Sequence, residues 1–300
     1  MKIRLSEIFA SVQGEGRFTG MPTIFIRFFG CNLKCDGFGQ KCPTDPSTYI
    51  LPYKDLDISR YLSMSELPVF EYGCDSSYSW SPRFKKLAKD YSVSEVVDEI
   101  LRVGRESLGL RLQEGEESLD NWTHTQTRMP AQICFTGGEP MMQQKAIELI
   151  LNELEHRSLN PIQVTIETNA TKELVDRFGA NLYTKHVHMS CSPKLYTVSG
   201  EQDAIDYGIL ASYITYADSG AIKFVHNGSQ EAWDEIDSKM DTLRDLIRGE
   251  PWQLWIMPVG SVLESQSPDF LSRVVTESLR RGFWISHRVH ISIFGNKVGT

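Results

Sequence analysis

Thr23-Ile-Phe-Ile-Arg-Phe-Phe-Gly-Cys-Asn-Leu-Lys-Cys35 begins as an apolar, β-branched run and ends in two cysteines spaced Cys-x3-Cys. A pair so placed, just past a strand, can present two thiolates to one inorganic centre. A third thiolate stands in Tyr72-Gly-Cys-Asp-Ser-Ser-Tyr-Ser-Trp80, and a glycine turn follows another strand in Cys134-Phe-Thr-Gly-Gly-Glu-Pro140. Thiolates are the usual ligands of iron–sulfur clusters. Three of them leave one iron of a 4Fe–4S cluster open to a small molecule.

Working outward, strand-like runs recur at Ala131–Phe135, Ile162–Glu167, Val187–Cys191, Ala221–His226, Trp252–Met257 and Val289–Phe294. Each is short and rich in β-branched or aromatic residues. Between them the spacing is helical: Ile147, Ile150, Leu151 and Leu154 make one apolar stripe. Ser92-Val-Ser-Glu95 reads as a capping box, and Ser267-Pro268 as a second helix start. Alternating strands and helices predict an α/β fold with parallel strands and right-handed crossovers. We expect a partial (β/α), TIM-like barrel of about six parallel strands in a single domain spanning 1–300. Cys31, Thr136, Thr168 and Ser192 each follow a strand closely, so they are expected to gather at the C-terminal rim. Residues 36–73, rich in Gly, Pro, Asp and Ser, and residues 105–129, polar with Glu114-Gly-Glu-Glu117, read as long insertions near that rim.

The chain has 300 residues, 41% hydrophobic and 23% charged, as in ordinary globular proteins. A net charge of −8 without a basic cluster argues against direct nucleic-acid binding. No apolar stretch approaches the roughly 20 residues of a membrane span, and Met1-Lys-Ile-Arg-Leu-Ser-Glu7 has no secretory middle. A cytoplasmic location is expected, where six cysteines stay reduced and serve as ligands or core residues. Cys134 and Cys191, at the ends of apolar strands, read as core.

Gln13-Gly-Glu-Gly16, Gly20-Met-Pro-Thr23, Arg27, Gly30-Cys-Asn-Leu33, Thr136-Gly-Gly-Glu-Pro140, Glu167-Thr-Asn169 and Ser192-Pro-Lys194 stand in an order that resembles the 7-carboxy-7-deazaguanine synthases. That family belongs to the radical S-adenosylmethionine superfamily. The resemblance runs from residue 5 to about residue 295, interrupted by the insertions. It implies a lyase that turns 6-carboxy-5,6,7,8-tetrahydropterin into 7-carboxy-7-deazaguanine with loss of ammonia. The implied cofactors are a 4Fe–4S cluster, S-adenosyl-L-methionine and Mg2+; the implied partners are an external, flavodoxin-like electron donor and a second copy in a homodimer.

The common spacing of the superfamily would put the third ligand at position 38, where this chain has Phe38. Two candidates remain. Cys74 sits in a string similar to the family's Cys-Asp-Thr-x-Tyr-x-Trp, whereas Cys42, in Lys41-Cys-Pro-Thr44, has no such flank. Hosting the extra residues between ligands costs about 2 kcal/mol of closure entropy, at about 0.6 kcal/mol per doubling, less than metal–thiolate bonding returns. Cys31, Cys35 and Cys74 are therefore the expected cluster ligands.

The resemblance further assigns Gly137, Gly138, Ser192 and Lys194 to S-adenosylmethionine, with Met257-Pro-Val-Gly260 flanking it. It assigns Val12, Gln13, Gly14, Arg27, Thr136 and His290 to the substrate. Arg27 suits a bidentate pair with a carboxylate, and Gln13 an edge of donors and acceptors. Magnesium falls at Ser76, where the family has threonine; Asp75 is a second oxygen candidate that could equally cap the following turn.

Two other readings use the same residues. Another radical S-adenosylmethionine enzyme, such as a glycyl-radical activase, shares the cluster but has no use for Gln13 and Arg27. A zinc-stabilised binding protein would use Cys31, Cys35, Cys42 and Cys74 together, although only the first pair has knuckle spacing.

Overall fold

In the computed structural model, residues 1–299 are described except 116, 117, 119, 176, 177, 180, 181, 183 and 184. Three of these fall in the acidic part of the 105–129 stretch, which to that extent lies outside the described residues.

Among the described residues one sheet of nine strands dominates. Its strands are β1 (Ile3–Val12), β2 (Pro22–Phe28), β3 (Lys89–Tyr91), β6 (Gln132–Gly137), β7 (Val164–Thr168), β8 (Val187–Cys191), β9 (Ser219–His226), β10 (Trp252–Pro258) and β11 (Trp284–Ile285). The short pair β4 (Leu110–Arg111) and β5 (Thr123–His124) stands apart. The order across the large sheet is β11-β10-β9-β8-β7-β6-β2-β1-β3. From β2 through β11 all pairings are parallel, and β1 and β3 add an antiparallel margin.

The expected strands are present with one exception. Val289–Phe294 is a helix, not a strand. Its Val-His-Ile-Ser-Ile-Phe alternation fits a strand, but Trp284–Ile285 already occupies the edge of β10. The chain then returns over the strand ends, where one helical turn buries Ile291 and leaves Ile293 and Phe294 exposed. The antiparallel strand β1, whose inner face carries Ile3 and Leu5, is an addition to the expected set.

The helices form where local chemistry starts and stops them. Ser92 and Glu95 make the reciprocal capping box of helix Val93–Leu108, and Gly109 ends it in left-handed backbone. Helix Gln144–His156 buries the stripe Ile147, Ile150, Leu151 and Leu154 against the sheet. Ser267 caps helix Pro268–Arg280, with proline in its first turn. No helix among the described residues is long and apolar enough to cross a membrane.

The two long stretches part company. Residues 36–73 fold into short helical turns around a second apolar cluster of Tyr53, Met64, Leu67 and Phe70, which Tyr78, Phe84 and Val298 complete. In 105–129, Trp122 joins the main core and its indole donates to the Leu159 carbonyl at 3.1 Å. That carbonyl precedes β7, so this stretch sits at the N-terminal ends of the parallel strands, opposite the rim where it was expected.

Candidate active site

The C-terminal ends of the parallel strands close around a cavity of about 250 Å³. Its floor is the turn after β2. Gly30, at φ +119, redirects the chain, and Cys35 adopts φ +54, a conformation that non-glycine residues hold only when their surroundings impose it. Here the Glu201 carboxylate does so, accepting from the backbone N–H of Lys34 at 2.8 Å and of Cys35 at 2.5 Å. Asn32 donates to Thr171 at 2.8 Å and accepts from Asn169 at 3.1 Å, tying the same turn to the end of β7.

Gly137 and Gly138 bring β6 against that turn. A Cβ at Gly138 would lie 2.2 Å from the Gly30 oxygen and 2.9 Å from Cys31 Cβ; one at Gly137 would lie 2.3 Å from the Phe28 oxygen. Their glycine character thus has a reason inside the protein, the close approach of two strand ends, besides any ligand. Next to them Glu139 is fully buried. Burial pushes its carboxyl upward, opposed by bonds from Thr168 Oγ1 at 2.7 Å, Asn169 N at 2.7 Å and Met141 N at 2.9 Å.

Cys31, Cys35 and Cys74 all line the cavity. Cys42 is exposed and does not. Burial pushes the Cys31 thiol up to about 12 and raises Cys35 and Cys74 as well, so without a metal all three keep their protons at neutral pH. Donors nonetheless approach two of the three sulfurs, those of Cys31 and Cys74. Leu33 N lies 3.4 Å and Asn169 Nδ2 3.9 Å from Cys31 Sγ. The buried indole N–H of Trp80 has no conventional partner among the described residues, and it acts on Cys74 to favour the thiolate. Sulfurs that accept N–H bonds suit a thiolate-bound cluster. Four thiolates on one zinc would sit about 3.8 Å apart; among the described residues no three His, Cys, Asp or Glu side chains gather to hold a single ion.

On the β1–β2 side, Arg27 donates Nε to Glu7 at 2.9 Å and lies 5.6 Å from the ring centres of both Phe9 and Tyr78. Its terminal nitrogens have no hydrogen-bond partner among the described residues, and the residue lines the cavity. Glu167 accepts from Gln13 Nε2 at 3.2 Å and from Thr136 Oγ1 at 2.8 Å. Across the cavity, Lys194 donates to Ser192 Oγ at 3.1 Å.

A charged chain crosses the remaining wall. Lys223 pairs with Glu15, Arg288 Nε reaches Glu15 Oε1 at 3.1 Å, and a terminal nitrogen of Arg288 pairs with Asp75. Burial works to raise the Glu15 carboxyl, but Lys223 and Arg288 hold it well below the usual range. His290 packs on Gly14, and burial lowers its imidazole to about 4, so it is neutral at pH 7.

Over its whole length the chain is 29% identical to the 7-carboxy-7-deazaguanine synthase of Leptospira interrogans, 98% of which is matched. The chain is a relative of the 7-carboxy-7-deazaguanine synthases. The synthase of Hyperthermus butylicus is 28% identical across 56% of this chain, a match that spans only 43% of that longer relative. The crystal structure of QueE from Escherichia coli superposes with a TM-score of 0.53 over 96% of this chain and 94% of that one; at 21% identity this is a likeness of fold. No family model matches.

All fourteen positions expected from the synthase resemblance line this cavity: the three cysteines, Ser76, Gly137, Gly138, Ser192, Lys194, Val12, Gln13, Gly14, Arg27, Thr136 and His290. Asp75 is engaged by Arg288 rather than capping a turn. Cys134 and Cys191 lie buried in strands and are not among its lining residues. Sequence reading gave no role to Glu15, Glu167, Lys223 or Arg288. A lysine inside the apolar run Ala221–His226 was a usable signal, because a buried lysine needs a partner. Arg288 offered none, since its neighbourhood read as a strand.

Proposed function

We propose that the chain is a 7-carboxy-7-deazaguanine synthase acting on 6-carboxy-5,6,7,8-tetrahydropterin with loss of ammonia. The observation that carries this reading is one cavity lined at once by Cys31, Cys35 and Cys74 and by Gln13, Arg27 and Thr136. In this reading the sheet is a partial barrel and the chain a single domain, which the lining from β1 through β10 supports. The three cysteines would hold a 4Fe–4S cluster, with Gly137, Gly138, Ser192 and Lys194 beside S-adenosylmethionine. When bound, these supply a carbon-centred radical that removes hydrogen from the substrate. An external electron donor and a second copy of the chain belong to the same reading.

The protein's own part is binding and orientation. Arg27, held by Glu7, offers its free terminal nitrogens to the substrate carboxylate, a charged interaction of about 1.5–3 kcal/mol. Glu167 already accepts from Gln13 and Thr136, and a carboxylate has about four acceptor sites. The remaining ones would be available to the N–H groups of a pterin edge. His290, neutral and against Gly14, adds a neutral imidazole rather than a charge. The magnesium expected at Ser76 fits least well, because Asp75 is already paired with Arg288.

Oxygen-free protein should contain iron and sulfide and, with reductant and S-adenosylmethionine, should convert 6-carboxytetrahydropterin to carboxydeazaguanine. Iron-loaded protein that cleaves S-adenosylmethionine but leaves the pterin untouched would favour an activase. A colourless protein carrying zinc would favour the binding protein. Cys74→Ala should abolish the cluster while Cys42→Ala leaves it; the reverse result would reassign the third ligand.

A further inference from the structure

Magnesium binds through few protein oxygens, commonly one or two carboxylates, while substrate and water complete its octahedron. At Ser76 the protein offers one neutral hydroxyl, 3.4 Å from Cys74 Sγ. The adjacent carboxylate, Asp75, is bound by a guanidinium. Arg288 is buried and has every nitrogen accounted for: Nε on Glu15 at 3.1 Å, Nη1 on the Gly260 carbonyl at 2.7 Å, and Nη2 on Asp75. Lys223 pairs with the other side of Glu15. Two carboxylates thus face two cations along this wall, leaving no net negative charge to attract a dication. Freeing Asp75 for a metal would leave Arg288 and Lys223 to share the single carboxylate of Glu15, and under-compensated buried charge is strongly disfavoured.

We infer that the wall at Ser76 is not a magnesium site in this chain, because Arg288, clamped between Asp75 and Glu15, occupies the carboxylate that a cation there would need. Arg288 is thereby a positioning residue that fixes Asp75 and Glu15 on the cavity wall. This rests on the function proposed above, in that pterin turnover is one of the readouts. It departs from the magnesium requirement that the resemblance implies.

The probe is Mn2+, titrated into cluster-loaded protein with and without substrate and followed by the spin-resonance signal of the free ion. No saturable site sensitive to Ser76→Ala is expected. Turnover in metal-depleted buffer should change by less than about threefold on adding magnesium, whereas a cation stabilising the transition state is worth more than about tenfold. Arg288→Met, which takes the guanidinium off Asp75 and Glu15, should create a Mn2+ site that the wild type lacks, whereas Arg288→Lys should not. A stoichiometric Mn2+ site abolished by Ser76→Ala, or a tenfold magnesium activation, overturns the inference. Absence of product at every magnesium level instead defeats the proposed function, and the Mn2+ titration, which needs only the wild type and Ser76→Ala, still decides the metal question.

Discussion

Between residues 36 and 73 the chain folds back in short turns and buries Tyr53, Met64, Leu67 and Phe70 in a core of their own. Between 105 and 129 it contributes Leu110, Leu112 and Trp122 to the main core, with Leu108 packed against it. The first stretch reaches the cavity through Phe38, Gly39, Val69, Glu71 and Gly73, and Ser261 Oγ donates to the Phe70 carbonyl at 2.5 Å. None of the described residues of the second lines it. Both look alike in composition, polar with scattered turn residues, so composition did not separate them. Position in the βα alternation does. A stretch that follows a strand emerges at the C-terminal rim, whereas one that follows a helix has been carried back to the other end.

The largest effect expected from this contrast is on stability alone. Trp122→Ala empties a fully buried site and leaves the Leu159 carbonyl unpaired, which should cost about 3–5 kcal/mol. Denaturant unfolding measures it, and kcat and KM of the folded fraction should stay at wild-type values. Altered kinetics would show that the far end of the sheet communicates with the cavity.

Phe70→Ala should cost somewhat less, about 3 kcal/mol, since Phe70 keeps slight exposure and its cluster is smaller. It should also do what Trp122→Ala does not, raising KM and lowering iron retention, because the same cluster holds Tyr78 and packs Trp80 next to Cys74. Lost stability with unchanged iron content and KM would make the two stretches equivalent and remove the distinction.

The same contrast shows which features were legible beforehand. Six of the seven expected strands and the two helix starts were readable because each is a local signal, a β-branched run or a capping pair. The rim position of Cys31, Thr136 and Ser192 followed from those strands. Val289–Phe294 was misread because six alternating residues satisfy either period, and the edge of β10, already taken by Trp284–Ile285, decided the matter. The chain Lys223–Glu15–Arg288–Asp75 joins residues up to 273 positions apart and leaves no local trace. Only the three-dimensional approach of the N-terminal loop to the end of the chain creates it.

A smaller effect separates the two regions by chemistry rather than packing. Arg27→Lys keeps the charge but loses the planar fork, so kcat/KM should fall about tenfold, or about 1.4 kcal/mol. Arg111→Lys, in the far stretch, alters exposed contacts, an ion pair with Asp120 at 3.7 Å and a hydrogen bond to Gln113 at 3.3 Å. It should change neither kinetics nor stability by more than about 0.5 kcal/mol. Equal effects from both would mean that Arg27 serves only as a rim ion pair.

The smallest expected effect is acid sensitivity, and it belongs to the main sheet. Burial lowers His188 to about 3 and His226 to about 4, both in parallel strands. The folded state therefore resists a proton that the unfolded chain accepts near pH 6.5. Stability conferred by the neutral rings is present above that value and is lost as pH falls from about 6.5 toward 4 for His226 and 3 for His188. From pH 7 to pH 6 each ring should cost about 0.7 kcal/mol. Residues 36–73 contain no histidine, so Phe70→Ala should shift the unfolding midpoint without changing this pH dependence. A steeper dependence in that variant would show that its small core also shields a titrating group, and a flat one in the wild type would mean the two rings meet solvent before the fold gives way.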